Sequence, residues 1–201
     1  MLLQKKQIHP SEAGENKTDE EIVALSLADQ EYFLHIIKRY KLKLYRYVLR
    51  ISNIDPEEAE DILQEVFMKV YQNLNDFDDS LKFSSWIYRI THNQVISNFR
   101  KITARPQKAS VDLDDDIVKN IASELNLVQD LDAKILQASI SKVLEKMDAK
   151  YREVLILKFL EEKSYNEISD IIKKPTGTVG SMMNRAKKEF KEEFLKQDIK
   201  I

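Results

Sequence analysis

The sequence predicts an all-α protein made of two small helical domains joined by a flexible acidic linker. Three observations predict it. Nearly every patterned stretch repeats its apolar residues at helical spacing, and only three glycines and four prolines interrupt 201 residues. Composition and pattern also break sharply between about Ala104 and Asp132. The expected layout is a tail over 1–17, a first domain over 18–105, a linker over 106–135 and a second domain over 136–195.

Other classes are excluded early. With no cysteine, the chain has no disulfide, no thiolate metal site and no cysteine nucleophile, which fits a reducing cytoplasm. No apolar run approaches the roughly 18 residues of a membrane span, so no membrane insertion is expected. The three histidines are scattered, and neither a Gly-rich phosphate loop nor a carboxylate pair with a nucleophile is present. Neither an enzyme, a small-molecule substrate nor a cofactor is therefore expected. Asp112, Asp114, Asp115 and Asp116 lack the glycine and terminal glutamate of a calcium loop, so no metal site is expected either.

The formal net charge is −2, but charge is unevenly placed. Residues 106–139 carry three basic against seven acidic residues (−4), and residues 173–191 carry six basic against one acidic (+5). Local patches rather than the total decide phosphate binding.

In chain order, Thr18-Asp-Glu-Glu-Ile22 is a helix start, with a capping threonine and early acids. The next helix carries Phe33, Ile36, Ile37, Tyr40, Leu44, Tyr47, Val48 and Ile51 on one side. Lys38, Arg39, Lys41, Lys43, Arg46 and Arg50 form a basic face opposite, either solvated or tracking phosphates. Asp55 is placed to cap a third helix, with Pro56 at its first position and acids in its first turn. Ile62, Val66, Phe67, Val70, Tyr71 and Leu74 make its core stripe. Its other face repeats Asp61, Gln64, Glu65 and Met68, an acidic strip suited to a basic partner helix.

Asn75 to Lys82 is a loop by composition. The helix from Phe83 to about Lys101 mixes aromatics, amides, hydroxyls and cations, the chemistry that stacks on bases and holds phosphates. Phe83, Trp86, Ile87 and Ile90 are better explained as core. Asn93, Gln94, Ser97, Asn98 and Arg100 are not. His92 is expected on the DNA-facing or solvent side. Arg105-Pro106 ends this helix, and a solvated tether with one short helix follows.

From Leu136 on, two apolar patterns divide near Asp148. Ser164-Tyr-Asn-Glu167 is a capping box, Lys173-Lys174-Pro175-Thr176-Gly177 a turn, and a last helix runs from Thr176 or Thr178. Helix, glycine-bearing turn, helix reads as a helix-turn-helix.

Asp61-Ile-Leu-Gln-Glu-Val-Phe followed by Phe83-Ser-Ser-Trp-Ile-Tyr-Arg-Ile-Thr-His-Asn closely resembles region 2 of bacterial sigma factors. An aspartate-led helix before Arg39-Tyr40 fits the opening of that domain. Tyr151-Arg-Glu-Val-Leu, Ser164-Tyr-Asn-Glu-Ile, Gly177-Thr-Val and Arg185-Ala-Lys resemble region 4. No intermediate region separates them, as in the compact extracytoplasmic-function (ECF) branch of the sigma-70 family.

The resemblance implies a dissociable initiation factor that binds core RNA polymerase and opens promoters. Asp61, Gln64, Glu65 and Met68 would dock on the β′ clamp helices, and the second domain would meet the β flap. Phe77, Asp78, Trp86, Asn93, Ser97, Arg100 and Lys101 would engage the −10 element. Lys173, Lys174, Thr176, Thr178, Ser181, Asn184, Arg185 and Lys188 would serve the −35 element. An anti-sigma factor is a further implied partner. Two customary cations of the last helix are replaced, by Gly180 and Met182, which points to weaker or altered −35 recognition. Gly180 also costs up to about 1 kcal/mol of helix propensity. The alternatives are a stand-alone helix-turn-helix regulator, which has no use for the acidic strip, and a helical adaptor that does not bind DNA.

Overall fold

A computed structural model describes residues 16–52, 54–102, 113, 115–125, 127 and 133–197, apart from the side chains of 99–102, 115–117 and 133. The regular elements among the described residues are all helical, without strands. Among the described residues, four helices form the first half: α1 (Asp19–Ala28), α2 (Phe33–Ser52), α3 (Pro56–Gln72) and α4 (Phe83–Ile102). Short 3-10 turns, Gln30–Tyr32 and Leu74–Asp76, lead into α2 and out of α3.

The local signals act as read. Thr18 and Glu21 form a capping box on α1, and Asp55 accepts from the Glu58 amide (2.8 Å) with Pro56 starting α3. Ile36, Leu44, Tyr47, Val48, Val66, Val70, Phe83 and Ile87 are buried together where α2, α3 and α4 meet. Burying each such side chain contributes about 1.5–3 kcal/mol, so these stripes hold the bundle. Asp19 joins α1 to α2 by accepting from Arg39 Nη1 (2.8 Å) and from the Tyr40 hydroxyl. That bond, and above all burial, push the Tyr40 pKa well above its ordinary value.

In the segment read as a tether lies α5 (Asp115–Glu124). Val118, Ile121, Ala122, Leu125 and Leu127 are buried, and Glu124 accepts from Lys187 Nζ at 2.7 Å. The apolar residues from Val118 to Leu127 thus pack on the second half, and Glu124 supplies charge. The rest of the second half is α6 (Ala133–Lys146), α7 (Ala149–Leu155), α8 (Tyr165–Ile172) and α9 (Thr176–Leu195). α7 runs directly into a π-helical turn, Ile156–Leu160, where the Glu161 amide donates to the Ile156 carbonyl at 3.0 Å.

Ser164 and Glu167 form the expected capping box on α8. The turn after α8 differs from expectation. Its left-handed residue is Lys173 (φ 52°), and Gly177, read as the last residue of the turn, lies inside the first turn of α9. The reversal needs one left-handed residue after α8, and Pro175 then fixes the entry into α9.

The halves pack on each other, α8 across α4 and α7 on α2. The buried apolar residues of both halves form one cluster, and polar pairs cross the seam as well. Glu153 accepts from the Tyr47 hydroxyl (2.7 Å) and lies 2.5 Å from His92 Nδ1. Glu161 pairs with Arg50 Nη1 (3.1 Å) and accepts from the Tyr88 hydroxyl. Arg152 donates to the Ile51 carbonyl (2.8 Å), and Lys82 meets Glu167 at 3.1 Å on the outside. Two sequence expectations are corrected here. Arg50 is buried in a cross-domain ion pair instead of lying on a basic face, and His92 faces the seam. Both follow from a partner about 60 or more residues away in the chain, beyond the reach of any within-helix pattern.

Candidate nucleic-acid and partner interface

The outer face of α3 exposes Asp61, Gln64, Glu65 and Met68. Met68 is 61% exposed, and beside it Phe33 and Ile37 of α2 with Leu63, Phe67 and Tyr71 of α3 line an open apolar groove of about 520 Å³. Leu34 and Leu42 of α2 are also exposed. An acidic, amide-bearing strip along an apolar groove suits a helix that brings both apolar and basic side chains. Glu65 is tied back to α4, because the Gln94 amide donates to it. Lys69 donates to the same Gln94 amide oxygen. Gln94 is buried and thus belongs to the helix packing, although its type alone argued against a core position.

On α4, Trp86 is 6% exposed and packs with Phe83 and Phe77 at centroid distances of 5.6 and 5.5 Å. Its ring is therefore a core prop for Phe77, not an open stacking platform. Phe77 is half-buried and meets Phe83 edge-on at 5.4 Å. The loop after it exposes Asp78, whose carboxylate accepts from the Ser80 amide at 3.0 Å. Hydrogen bonds from Ser80 hold that carboxyl below its ordinary value, so it stays ionised and acceptor-only. Asn93 and Ser97, one helical turn apart, are exposed. The side chains of Arg100 and Lys101 lie outside the described residues.

On α9, Val179, Met183, Ala186 and Phe190 are buried and orient the helix. The opposite face exposes Thr176, Thr178, Ser181, Asn184, Arg185 and Lys188, with Lys173 and Lys174 exposed in the turn before it. A shallow open depression is lined by Gly177, Thr178, Ser181, Met182 and Arg185. The expected −35 residues thus share one surface. Ser181 Oγ donates to the Gly177 carbonyl (3.0 Å), and Lys188 lies 3.9 Å from Glu192. The missed residues are those of the seam, Tyr47, Tyr88, Glu153 and Glu161, each of which looks like ordinary core or surface on its own helix.

Residues 36–105 match the family Sigma-70 region 2, and residues 137–190 match Sigma-70, region 4. The chain is 33% identical over 176 residues to the ECF RNA polymerase sigma factor SigW of Bacillus subtilis, covering 83% of this chain and 90% of that protein. The chain belongs to the ECF sigma factors. It is also 31% identical to SigM of Bacillus subtilis (78% of this chain, 91% of SigM) and 28% identical to the sigma-E factor of Escherichia coli (87% and 93%). Among solved structures it shares the fold of CnrH in complex with the cytosolic domain of CnrY, with a TM-score of 0.63, 21% identity and coverage of 88% and 96%. It shares it also with the sigma factor RpoE in complex with the anti-sigma factor NepR from Bartonella quintana, with a TM-score of 0.61, 23% identity and coverage of 83% and 98%. As an ECF sigma factor the protein is a promoter-recognising initiation factor of RNA polymerase, and the stand-alone regulator is not favoured.

Proposed function

We propose that this sigma factor docks on core polymerase through the α3 strip, with the β′ clamp helices as its partner. The carrying observation is the coincidence of exposed Asp61, Gln64 and Met68 with an open apolar groove on the same face. The second half would meet the β flap. Asn93 and Ser97, with Arg100 and Lys101, would follow the opened −10 strand, while Phe77 and Asp78 would receive a flipped base at the loop. Trp86 supports this arrangement from within the core. The face from Thr176 to Lys188 would enter the major groove at the −35 element, with Lys173 and Lys174 on phosphates. Strand opening would draw on binding energy alone, without nucleotide hydrolysis or a cofactor. Such work belongs in the cytoplasm, and an anti-sigma factor is the fitting negative partner.

Pull-down of core polymerase tests the docking. The Asp61→Arg/Met68→Glu variant inverts the strip and leaves the Glu65–Gln94 contact in place. At least tenfold weaker capture than the native chain is expected. Equal capture overturns the assignment of this face.

A further inference from the structure

We infer that Glu20 is a positioning residue for the flipped −10 base: from the first turn of α1 it fixes the end of the loop that would hold that base. The inference deepens the proposed −10 role of Phe77 and Asp78 and rests on it. α4 begins at Phe83, immediately after that loop, and Lys82 directly precedes it. The Lys82 carbonyl accepts from the Ser85 amide (3.0 Å) and the Trp86 amide (3.2 Å). A lysine side chain, however, has no acceptor to offer the other amides of a first helical turn. The acceptor comes instead from α1, 63 residues back, where Glu20 Oε1 accepts from the Phe83 amide at 3.1 Å. A carboxylate there also suits the positive end of the helix.

By sequence the three acids that open α1 are interchangeable partners of its own dipole. Their contacts give them three different tasks. Glu21 closes the capping box with Thr18 and so holds α1 itself. Asp19 accepts from Arg39 and Tyr40 of α2. The Tyr40 ring in turn meets the Phe83 ring edge-on, with centroids 5.7 Å apart. Phe83 is therefore held twice, by its amide through Glu20 and by its ring through Tyr40. α1 also packs on the Leu74–Asp76 turn, at the other end of the loop. Between these ends the loop is stiffened from within. Asp78 accepts from the Ser80 amide through its side chain and from the Leu81 amide through its carbonyl, both at 3.0 Å. A stiff loop moves as a unit when an anchor is lost. Phe77 leans on Phe83 and Trp86, so freeing the Phe83 amide displaces Phe77 and Asp78 together.

Base selection by the holoenzyme tests this. The probe is a DNA fork, duplex upstream and a single non-template strand randomised over the −10 segment, sequenced after capture. The captured position is the one whose base preference Asp78→Ala abolishes. Glu20→Ala should lower the enrichment there at least fivefold and leave the other positions as they are, with capture by core polymerase unchanged within twofold. A merely destabilised protein would capture less of every strand and keep its preference. Glu20→Gln retains an acceptor oxygen and should select like the native chain. Trp86 supplies a second readout, as the single tryptophan of the chain and a neighbour of both Phe77 and Phe83. In the free protein, acrylamide should quench its fluorescence at least twofold more strongly in Glu20→Ala than in the native chain, and no more strongly in Glu20→Gln. Native base preference or native quenching in Glu20→Ala overturns the inference, as does a Glu20→Gln variant that fails alongside it. If the native holoenzyme selects no base, or Asp78→Ala abolishes none, the −10 reading fails instead, and Trp86 quenching alone then judges the anchor.

Discussion

Replacing Gly180 by alanine adds one methyl group to the fifth residue of α9. A Cβ built there meets nothing within 4 Å, and the backbone is ordinary right-handed helix. Nothing in the fold therefore requires the glycine. The gain is the helix-propensity difference, about 0.5–1 kcal/mol, which largely reflects freedom removed from the unfolded chain. For a chain of this length that corresponds to about 1–4 °C in Tm, read by circular dichroism. Gly180→Arg should keep most of this gain and add a cation on the face shared with Gly177 and Asn184. The log–log salt dependence of −35 fragment binding should then steepen by up to about 0.9. If Gly180→Ala lowers Tm, the space at this position is not open, and the account of α9 as a helix with a dispensable glycine is wrong. If Gly180→Arg leaves the salt slope unchanged, this face does not lie on phosphates.

Two further outcomes follow from the same structure. Leu44→Ala, at a fully buried position of α2, should cost about 2–5 kcal/mol in urea unfolding, and a loss under 1 kcal/mol would show that the stripe is not the core. Burial raises the Glu167 carboxyl, but bonds from Ser164 and Lys82 outweigh it and hold the pKa at about 2, against an ordinary 4.5. This depressed carboxylate contributes stability that is full above pH 4.5 and fades as pH falls towards 2. The Glu167→Gln variant should accordingly lose less stability than the native chain across that interval, measured by denaturant titration at each pH.

Capping chemistry and core stripes were legible because their signals lie within four residues along one helix. Thr18, Asp55, Ser164 and Glu167 act locally, and Ile62, Val66 and Val70 show their face by spacing alone. The strip at Asp61, Gln64 and Met68 was legible for the same reason, as the face left over once the stripe was assigned. Residue type misled where a polar group finds a distant partner. Gln94 is satisfied by Glu65 and Lys69, Arg50 by Glu161, and His92 lies against Glu153. Trp86 carried an aromatic signal that fits base stacking as well as the core its spacing favoured, and its contacts with Phe77 and Phe83 decide for the core. The turn before α9 was legible from Pro175 and Gly177, but its left-handed residue, Lys173, carries no signal in its residue type.

The π-helical turn at Ile156–Leu160 carries a consequence for the lineage of this protein. A π turn holds one residue more than an α turn of the same span, and so absorbs an extra residue with little change of facing beyond it. The Glu161 amide reaches back five residues to the Ile156 carbonyl; with one residue deleted from this stretch it would reach back four, as in a regular helix, and Glu161 would keep much the same side towards Arg50 and Tyr88. Deleting one residue from α7 before the turn would instead rotate Glu161 by about 100° about the axis. Length is therefore tolerant at these five positions and constrained in α7. A relative one residue shorter at the turn could keep this pairing between its halves, whereas one shorter in α7 would have to join them by some other.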